Sequence, residues 1–305
     1  MTTDGDLRVV AGIASIPSRV LALQKAIASM WEQVDQLEVV LNGYGSVPEW
    51  LRHPRISVAV SQEVGDYADN AKFLGIDKYD DCHYFTIDDD IQYPRDYVVR
   101  MRERLATYGE AAAVGVHGVF IPRSPQGFMD RRVHCFWNGL ATDQLVSYVG
   151  TGTLALNRRL LPDSALSMFS DSGMSDLFIG AYLKSTRAPV ICIGRPANWL
   201  TKIDTPNSSS LWQDVQRNSD RQSQLLKSME PWGTEDLRDR CQGGVWEQCP
   251  IEARVGLEVA DHVLSNRKIP YPLATELRRL GAPARESALF YAESLTHRFK
   301  IWSLR

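Results

Sequence analysis

Three consecutive aspartates, Asp88, Asp89 and Asp90, follow a strand-forming run at residues 82–87. Like charges a few ångströms apart repel each other, and the repulsion grows where the end of a buried strand excludes water. In an extended chain the side chains at i and i+2 point the same way, so Asp88 and Asp90 share one side and Asp89 points to the other. Two carboxylates on one side form a hard oxygen site for Mg²⁺ or Mn²⁺. The alternative is a solvated acidic turn, because aspartate favours turns.

The segments that would position this aspartate triplet alternate between strand and helix. We expect strands at residues 8–13, 38–41, 55–60 and 83–87. A helix face formed by Leu23, Ile27, Met30 and Trp31 follows the first strand, and further helices are expected at 68–79 and from Pro94 to about residue 108. This alternation predicts an α/β fold with a mostly parallel sheet flanked by helices.

The carboxyl ends of parallel strands are where such folds bind ligands. Three segments that could contact a ligand fall there in the predicted sheet: residues 15–19, residues 42–45 and the aspartate triplet. This shared location favours a cation site over an acidic turn.

The rest of the chain is less regular until it becomes helical. We expect glycine-interrupted strands at 111–119 and 148–156, a helix at 173–184 and a strand at 189–193. Residues 207–210 lead into an expected helix of about 18 residues that ends near Pro231. From residue 233 the pattern predicts helices at 251–265, 272–280 and 286–304. We therefore predict one domain at residues 1–232 and a helical C-terminal extension at 233–305 that makes acceptor, membrane-surface or oligomer contacts.

Bulk properties narrow the class of protein. The formal net charge of −3 over 305 residues predicts no nucleic-acid partner. The N-terminal segment lacks a basic leader, and no apolar run reaches the roughly 18 residues of a membrane span, so we expect a cytoplasmic protein. The five scattered cysteines contain no CxxC pair, which favours free thiols over disulfides or a zinc site.

The last 40 residues are basic, with eight Lys or Arg against three Glu. The expected helix at 286–304 is amphipathic with positive flanks. This pattern is typical of peripheral contact with an anionic membrane, here its inner face, and also of a helix that packs on the main domain or on a second copy in a homodimer.

Residues 86–97, TIDDDIQYPRDY, resemble the DxD motif of GT-A fold glycosyltransferases, in the form of family 2-like enzymes that build bacterial surface polysaccharides. Further segments resemble other blocks of that group in the same order: 15–19, 41–44, 65–73, 116–118, 150–153, 174–176 and 195–199. The resemblance covers about residues 8–232. It implies a Rossmann-like GT-A fold, a nucleotide-sugar donor (a UDP-sugar), a glycan or lipid-linked acceptor, and Mn²⁺ or Mg²⁺.

The candidate site residues follow from their positions in the predicted sheet and from this resemblance. The candidates for binding the nucleotide-sugar are Pro17, Ser18, Arg19, Asn42, Asp66, Asp69, Lys72, Asp88, Asp89, Gly152 and Thr153. The candidates for binding the metal are Asp88, Asp90 and His117. The competing interpretations are a solvated surface charge for Arg19 and Lys72, and a buried structural histidine for His117. Only one of Asp66 and Asp69 is expected to contact the nucleotide.

Asp176 is the candidate general base. It lies near the start of the helix expected at 173–184. A direct-displacement transfer needs a carboxylate beside the acceptor hydroxyl, and the resemblance implies that role together with inversion at the sugar. The alternative is an aspartate that caps the helix N-terminus.

Two other classes of function compete with a glycosyltransferase. A nucleotidyltransferase that makes a nucleotide-sugar would carry a basic, glycine-rich loop directly after the first strand, which residues 15–19 do not provide. A non-catalytic glycan-binding module on the same fold would not need the intact aspartate triplet together with Asp176.

Overall fold

The computed structural model of the protein describes residues 7–205, 215, 218–241, 244–265, 267–281, 284, 285 and 288. Apart from residue 288, the helix expected at 286–304 lies outside these residues. So do residues 206–214, 216 and 217, which include the start of the helix expected to end near Pro231.

The strands and helices are numbered in chain order. The strands are β1 (Val9–Ser15), β2 (Gln36–Leu41), β3 (Ile56–Val60), β4 (His83–Asp88), β5 (Ile91–Gln92), β6 (Ala113–Gly115), β7 (Gly118–Phe120), β8 (Arg132–His134), β9 (Gln144–Leu145), β10 (Tyr148–Val149), β11 (Thr153–Asn157), β12 (Val190–Cys192) and β13 (Thr201–Lys202). The helices are α1 (Val20–Met30), α2 (Ser61–Val64), α3 (Tyr97–Thr107), α4 (Ser175–Ser185), α5 (Asp220–Ser228), α6 (Thr234–Arg240), α7 (Val245–Gln248), α8 (Ile251–Leu264) and α9 (Tyr271–Arg279). In the part of the chain that the structure covers, no helix has the length and apolar character of a membrane span.

An eight-stranded sheet forms the centre of the fold, in the order β3-β2-β1-β4-β11-β6-β12-β9. Strands β1 to β4 are mutually parallel, and β6 and β12 run the same way, because the antiparallel β11 lies between β4 and β6. Only β11 and β9 run in the opposite direction in this sheet. The predicted α/β class with a mostly parallel sheet is therefore confirmed.

The strand order reverses between β1 and β4. The chain builds outward from β1 through β2 to β3, and then returns to place β4 on the other side of β1. Connections that leave in opposite directions open a crevice at the carboxyl ends of these two strands. Ser15 ends β1 and Asp88 ends β4, so the aspartate triplet lies at this crevice.

The prediction of a regular helix at 68–79 is wrong. The chain instead forms two 3₁₀ turns, Ala68–Phe73 and Ile76–Lys78. The first turn packs directly on β1, and the Tyr84 hydroxyl of β4 donates a 2.8 Å hydrogen bond to the carbonyl of Lys72. This bond to a neighbouring strand holds a backbone carbonyl in a short turn, where an α-helix would have bonded it internally.

The C-terminal extension continues into the main core. Leu237 of α6, Trp246 of α7 and Leu257 of α8 belong to the buried cluster that also contains residues of β1 and β4. The buried Asp261 carboxylate accepts hydrogen bonds from the backbone N–H groups of Arg123 (2.7 Å) and Thr234 (3.2 Å). The sequence pattern did not predict α6 and α7, which supply Leu237 and Trp246 to this buried cluster.

We predict that Gly12→Ala destabilises the protein. A Cβ at Gly12 would overlap the carbonyl oxygen of Lys72 and the hydroxyl of Tyr84, so the turn that carries Lys72 must move away from β1. Overpacking of this kind costs about 1–3 kcal/mol. Gly45→Ala is the matched control, because a Cβ there meets no atom within 4 Å. Urea denaturation measures both, and equal midpoints for the two variants would contradict this account of the packing.

Candidate functional site

Asp89 is the most buried member of the aspartate triplet. Its side chain accepts a hydrogen bond from the Ser15 hydroxyl at 2.6 Å and another from Arg19 Nη1 at 2.8 Å. The same Arg19 nitrogen lies 3.7 Å from Asp90 Oδ2. The loop after β1 therefore faces Asp89 and supplies positive charge to this side of the triplet.

Lys72 faces the other side of the triplet. Its ammonium group forms an ion pair with Asp88 Oδ1, and the residue is only 5% exposed. Burial lowers the pKa of Lys72, but the Asp88 carboxylate more than compensates, so the pKa lies above its usual value. Lys72 is therefore a charged, buried partner of Asp88 and not a solvated surface lysine.

Asp88 is also fixed by the turn that precedes β11. A Cβ at Gly152 would overlap the Asp88 carboxylate, so only glycine allows this approach. The Tyr93 hydroxyl links the two segments, because it accepts from the backbone N–H of Asp88 (2.9 Å) and donates to the carbonyl of Gly152 (2.6 Å). Gly152 thus shapes the site through its backbone.

The carboxylate of Asp176, a residue of α4, contacts Thr151, the residue before Gly152 in the same turn. Its Oδ1 atom accepts hydrogen bonds from the backbone N–H and the hydroxyl of Thr151, both at 2.8 Å. Burial raises the pKa of Asp176, and it stays above its usual value although the Thr151 hydrogen bonds and the charge of Lys72 lower it. The consecutive residues Thr151 and Gly152 therefore bring the Asp176 and Asp88 carboxylates to one turn.

The capping role at α4 belongs to Asp69. Its two carboxylate oxygens accept from the backbone N–H groups of Gly173 (2.5 Å) and Ser175 (3.1 Å). Asp66 is exposed, and its carboxylate accepts only from the nearby backbone N–H of Ala68 among the described residues, at 2.9 Å. The structure therefore gives Asp69 a structural task and leaves Asp66 at the surface of the crevice.

The other residues predicted to bind the nucleotide-sugar differ in how exposed they are. Pro17 and Ser18 are exposed in the turn after β1. Asn42 is buried, and its Nδ2 donates to the carbonyl of Ala68 at 3.0 Å. Thr153 is buried as well, and its hydroxyl oxygen accepts from the backbone N–H of His117 at 3.0 Å, so this hydroxyl orders the protein backbone.

His117 packs beside the turn that holds Asp88. A Cβ at Gly150 would come within 3.3 Å of the His117 side chain. Burial, with Arg195 and Arg131 nearby, lowers the pKa of His117 to about 4, so the imidazole is neutral at pH 7. Among the described residues no three His, Cys, Asp or Glu side chains are arranged as a metal site. The three-residue site predicted from Asp88, Asp90 and His117 is therefore not preformed.

The charge balance of the triplet nevertheless suits a cation. Three carboxylates face two cations, Arg19 and Lys72. Burial and the neighbouring Asp88 raise the pKa of Asp90 to about 6, although Arg19 and Lys72 partly oppose the shift. The carboxylates of Asp88 and Asp90 could thus hold Mn²⁺ or Mg²⁺, with oxygens of a bound ligand and water completing the coordination.

Three residues of the site, Ser15, Tyr93 and Thr151, were not among the predicted site residues, although each lies in a segment that the sequence singled out. Ser15 and Tyr93 contact the triplet only through the fold, by the hydrogen bonds given above. The signal for Tyr93 was present, because it follows the triplet closely within residues 86–97. Thr151 stands between two glycines, and its bonds to Asp176 depend on a residue 25 positions away.

Comparison with known proteins finds a loose likeness among solved structures. No family model matches this sequence, and no curated protein matches it. Among solved structures the chain is similar to S. aureus TarS, residues 1–349, with a TM-score of 0.40 and 11% sequence identity over 95% of this chain and 90% of that chain. A likeness at this level shows nothing about activity.

We predict that Asp69→Ala lowers the free energy of unfolding by about 1 kcal/mol, because the first backbone N–H of α4, that of Ser175, and the N–H of Gly173 before the helix lose their acceptor. Asp66→Ala, at an exposed position, should change it by less than about 0.5 kcal/mol. Chemical denaturation of both variants tests this difference. A larger loss for Asp66→Ala than for Asp69→Ala would reverse the two assignments.

We predict that Asp90→Asn stabilises the metal-free protein at pH 7.5. A folded-state pKa of about 6 means that the folded protein holds the Asp90 proton more tightly than the unfolded chain does. The stability from this proton is present below about pH 4 and is lost as the pH rises through 6, so ionised Asp90 costs on the order of 2 kcal/mol at pH 7.5.

Denaturation in EDTA at pH 7.5 and at pH 4.5 measures this effect, and Asp80→Asn, at an exposed position, is the matched control. The gain from Asp90→Asn should shrink at pH 4.5. A variant that is less stable than the parent at pH 7.5 would show that Asp90 is not under electrostatic stress.

Proposed function

We propose that the protein is a GT-A glycosyltransferase that moves a sugar from a nucleotide-sugar, a UDP-sugar, to a hydroxyl of a glycan or lipid-linked acceptor. One observation carries the proposal: Asp88, beside Gly152, and Asp176, bonded to Thr151, meet at one turn beside the crevice between β1 and β4. A transfer of this kind needs both a site for the donor diphosphate and a base for the acceptor, close together.

The donor side of the site is the crevice itself. The turn Pro17–Arg19, Asn42 and the turn Ala68–Phe73 border it. A divalent cation held by Asp88 and Asp90 would supply charge stabilisation to the leaving diphosphate. Arg19 and Lys72 already lie against the triplet, so they add positive charge where that negative charge develops.

The acceptor side is the free oxygen of Asp176. Both hydrogen bonds that the described residues make to this carboxylate fall on Oδ1, which leaves Oδ2 to accept the proton of an acceptor hydroxyl. As the acceptor oxygen bonds to the anomeric carbon, Asp176 takes its proton, and the bond from that carbon to the diphosphate breaks. The raised pKa of Asp176 makes the carboxylate a stronger base than a solvated aspartate. Direct attack inverts the anomeric configuration.

The proposal includes a cytoplasmic location and no nucleic-acid partner. Peripheral membrane contact or a homodimer would involve the basic tail, most of which lies outside the described residues.

A donor-turnover assay tests the proposal. Incubation with UDP-sugars should release UDP with Mn²⁺ and not with EDTA. Asp90→Ala should lower the rate at least about 100-fold, because it removes a cation ligand, and Asp176→Asn should lower transfer to an acceptor by about 10²–10⁴-fold while donor binding persists. Asp80→Asn is the control for the charge change.

Turnover by Asp90→Ala at the parent rate would contradict the metal-assisted mechanism. Release of pyrophosphate from a nucleoside triphosphate and a sugar phosphate would instead identify a nucleotidyltransferase. Binding of a glycan without UDP release from any donor would identify a non-catalytic module.

A further inference from the structure

A polar cavity of about 620 Å³ lies apart from the aspartate triplet, between α3 and the start of the C-terminal extension. Its wall is formed by residues 100–108 of α3 and its end, the segment 140–143 before β9, the segment 194–196 after β12, and Gln248 with Pro250. This volume falls in the range of small-molecule sites, about 300–1,000 Å³.

The charges that line this cavity are mostly positive. Arg100, Arg104 and Arg195 line it, and Asp143 is its only acidic lining residue. Among the described residues no carboxylate pairs with Arg195, whose guanidinium donates instead to backbone carbonyls, including that of Cys135 at 2.8 Å. Three arginines thus line the cavity against one aspartate.

The single acidic residue is fully occupied by protein donors. Asp143 accepts from the backbone N–H of Gly194 (2.7 Å) and from the Tyr108 hydroxyl (3.0 Å), and it pairs with Arg104 Nε (3.1 Å). Among the described residues Arg104 makes no other polar side-chain contact than this one through Nε, which leaves its two terminal nitrogens for a ligand. Asp143 thus orients Arg104 and does not close the cavity to anions.

Arg100 is held by its aromatic neighbour. Its guanidinium lies 4.5 Å from the centre of the Trp199 ring, and Nη2 donates to the carbonyl of Gly194 at 3.3 Å. The nearest carboxylate, that of Asp96, is 3.8 Å away on a side chain that is 55% exposed. The Arg100 charge is therefore positioned but only weakly neutralised.

Two oriented guanidinium groups one helical turn apart suit a ligand with more than one anionic oxygen group. Arginine matches phosphate oxygens through paired N–H donors, and residues at i and i+4 lie about 6 Å apart on a helix face. We propose that this cavity binds a diphosphate-bearing ligand, at a site separate from the aspartate triplet. The paired segments around Leu140 and Arg195, with backbone hydrogen bonds of 2.7 and 2.9 Å, form its wall.

Calorimetric titration of the full chain with inorganic pyrophosphate in excess EDTA tests this proposal. Arg104→Gln removes a guanidinium from the cavity, and Gln248→Glu adds a negative charge at an exposed position on its rim. Arg95→Gln, exposed and outside the cavity lining, is the control for the loss of one positive charge. Thermal unfolding verifies that each variant is folded.

We expect saturable pyrophosphate binding that weakens at least 10-fold in Arg104→Gln, weakens several-fold in Gln248→Glu and is unchanged in Arg95→Gln. If Arg104→Gln fails to fold, Gln248→Glu decides the question alone. No binding at millimolar pyrophosphate, or binding that neither cavity variant weakens, would overturn the proposal. The titration contains no sugar donor or acceptor, so its result is independent of the proposed transferase activity.

Discussion

The ion pair between Lys72 and Asp88 is the interaction on which the arrangement of the site depends. A buried pair is costly to break, because the partner that remains is an unpaired charge away from water. Lys72 reaches Asp88 only because the turn Ala68–Phe73 packs tightly on β1, where Gly12 leaves room for it. Backbone packing in the sheet thus fixes a charge at the mouth of the crevice.

This pair also links the two carboxylates of the proposed mechanism. Asp88 is held against Gly152, and the adjacent Thr151 holds Asp176, while the charge of Lys72 acts on both acids. The three carboxylates of the triplet still outnumber the two cations beside them. A bound cation would neutralise the remaining negative charge. The same turn therefore sets the distance between the proposed donor and acceptor sides.

The sequence predicted what depends on local pattern. The apolar run before Asp88 identified β4, and the alternation of strand and helix located the triplet at the carboxyl edge of a parallel sheet. The prediction of a regular helix at 68–79 failed, because a hydrogen bond from Tyr84 favours 3₁₀ turns there. Contacts between distant segments were also invisible, above all the capping of α4 by Asp69, which lies 104 positions before Gly173.

We propose that Asp88 and Asp90 hold a divalent cation together with a nucleoside diphosphate. Thermal unfolding with UDP and Mn²⁺, separately and together, tests it most directly, because a ligand that binds only the folded protein raises the melting temperature. We expect UDP and Mn²⁺ together to raise the melting temperature by more than the sum of their two separate shifts. Asp90→Ala should abolish this excess. An equal stabilisation by UDP in EDTA, or an undiminished excess in Asp90→Ala, would contradict it.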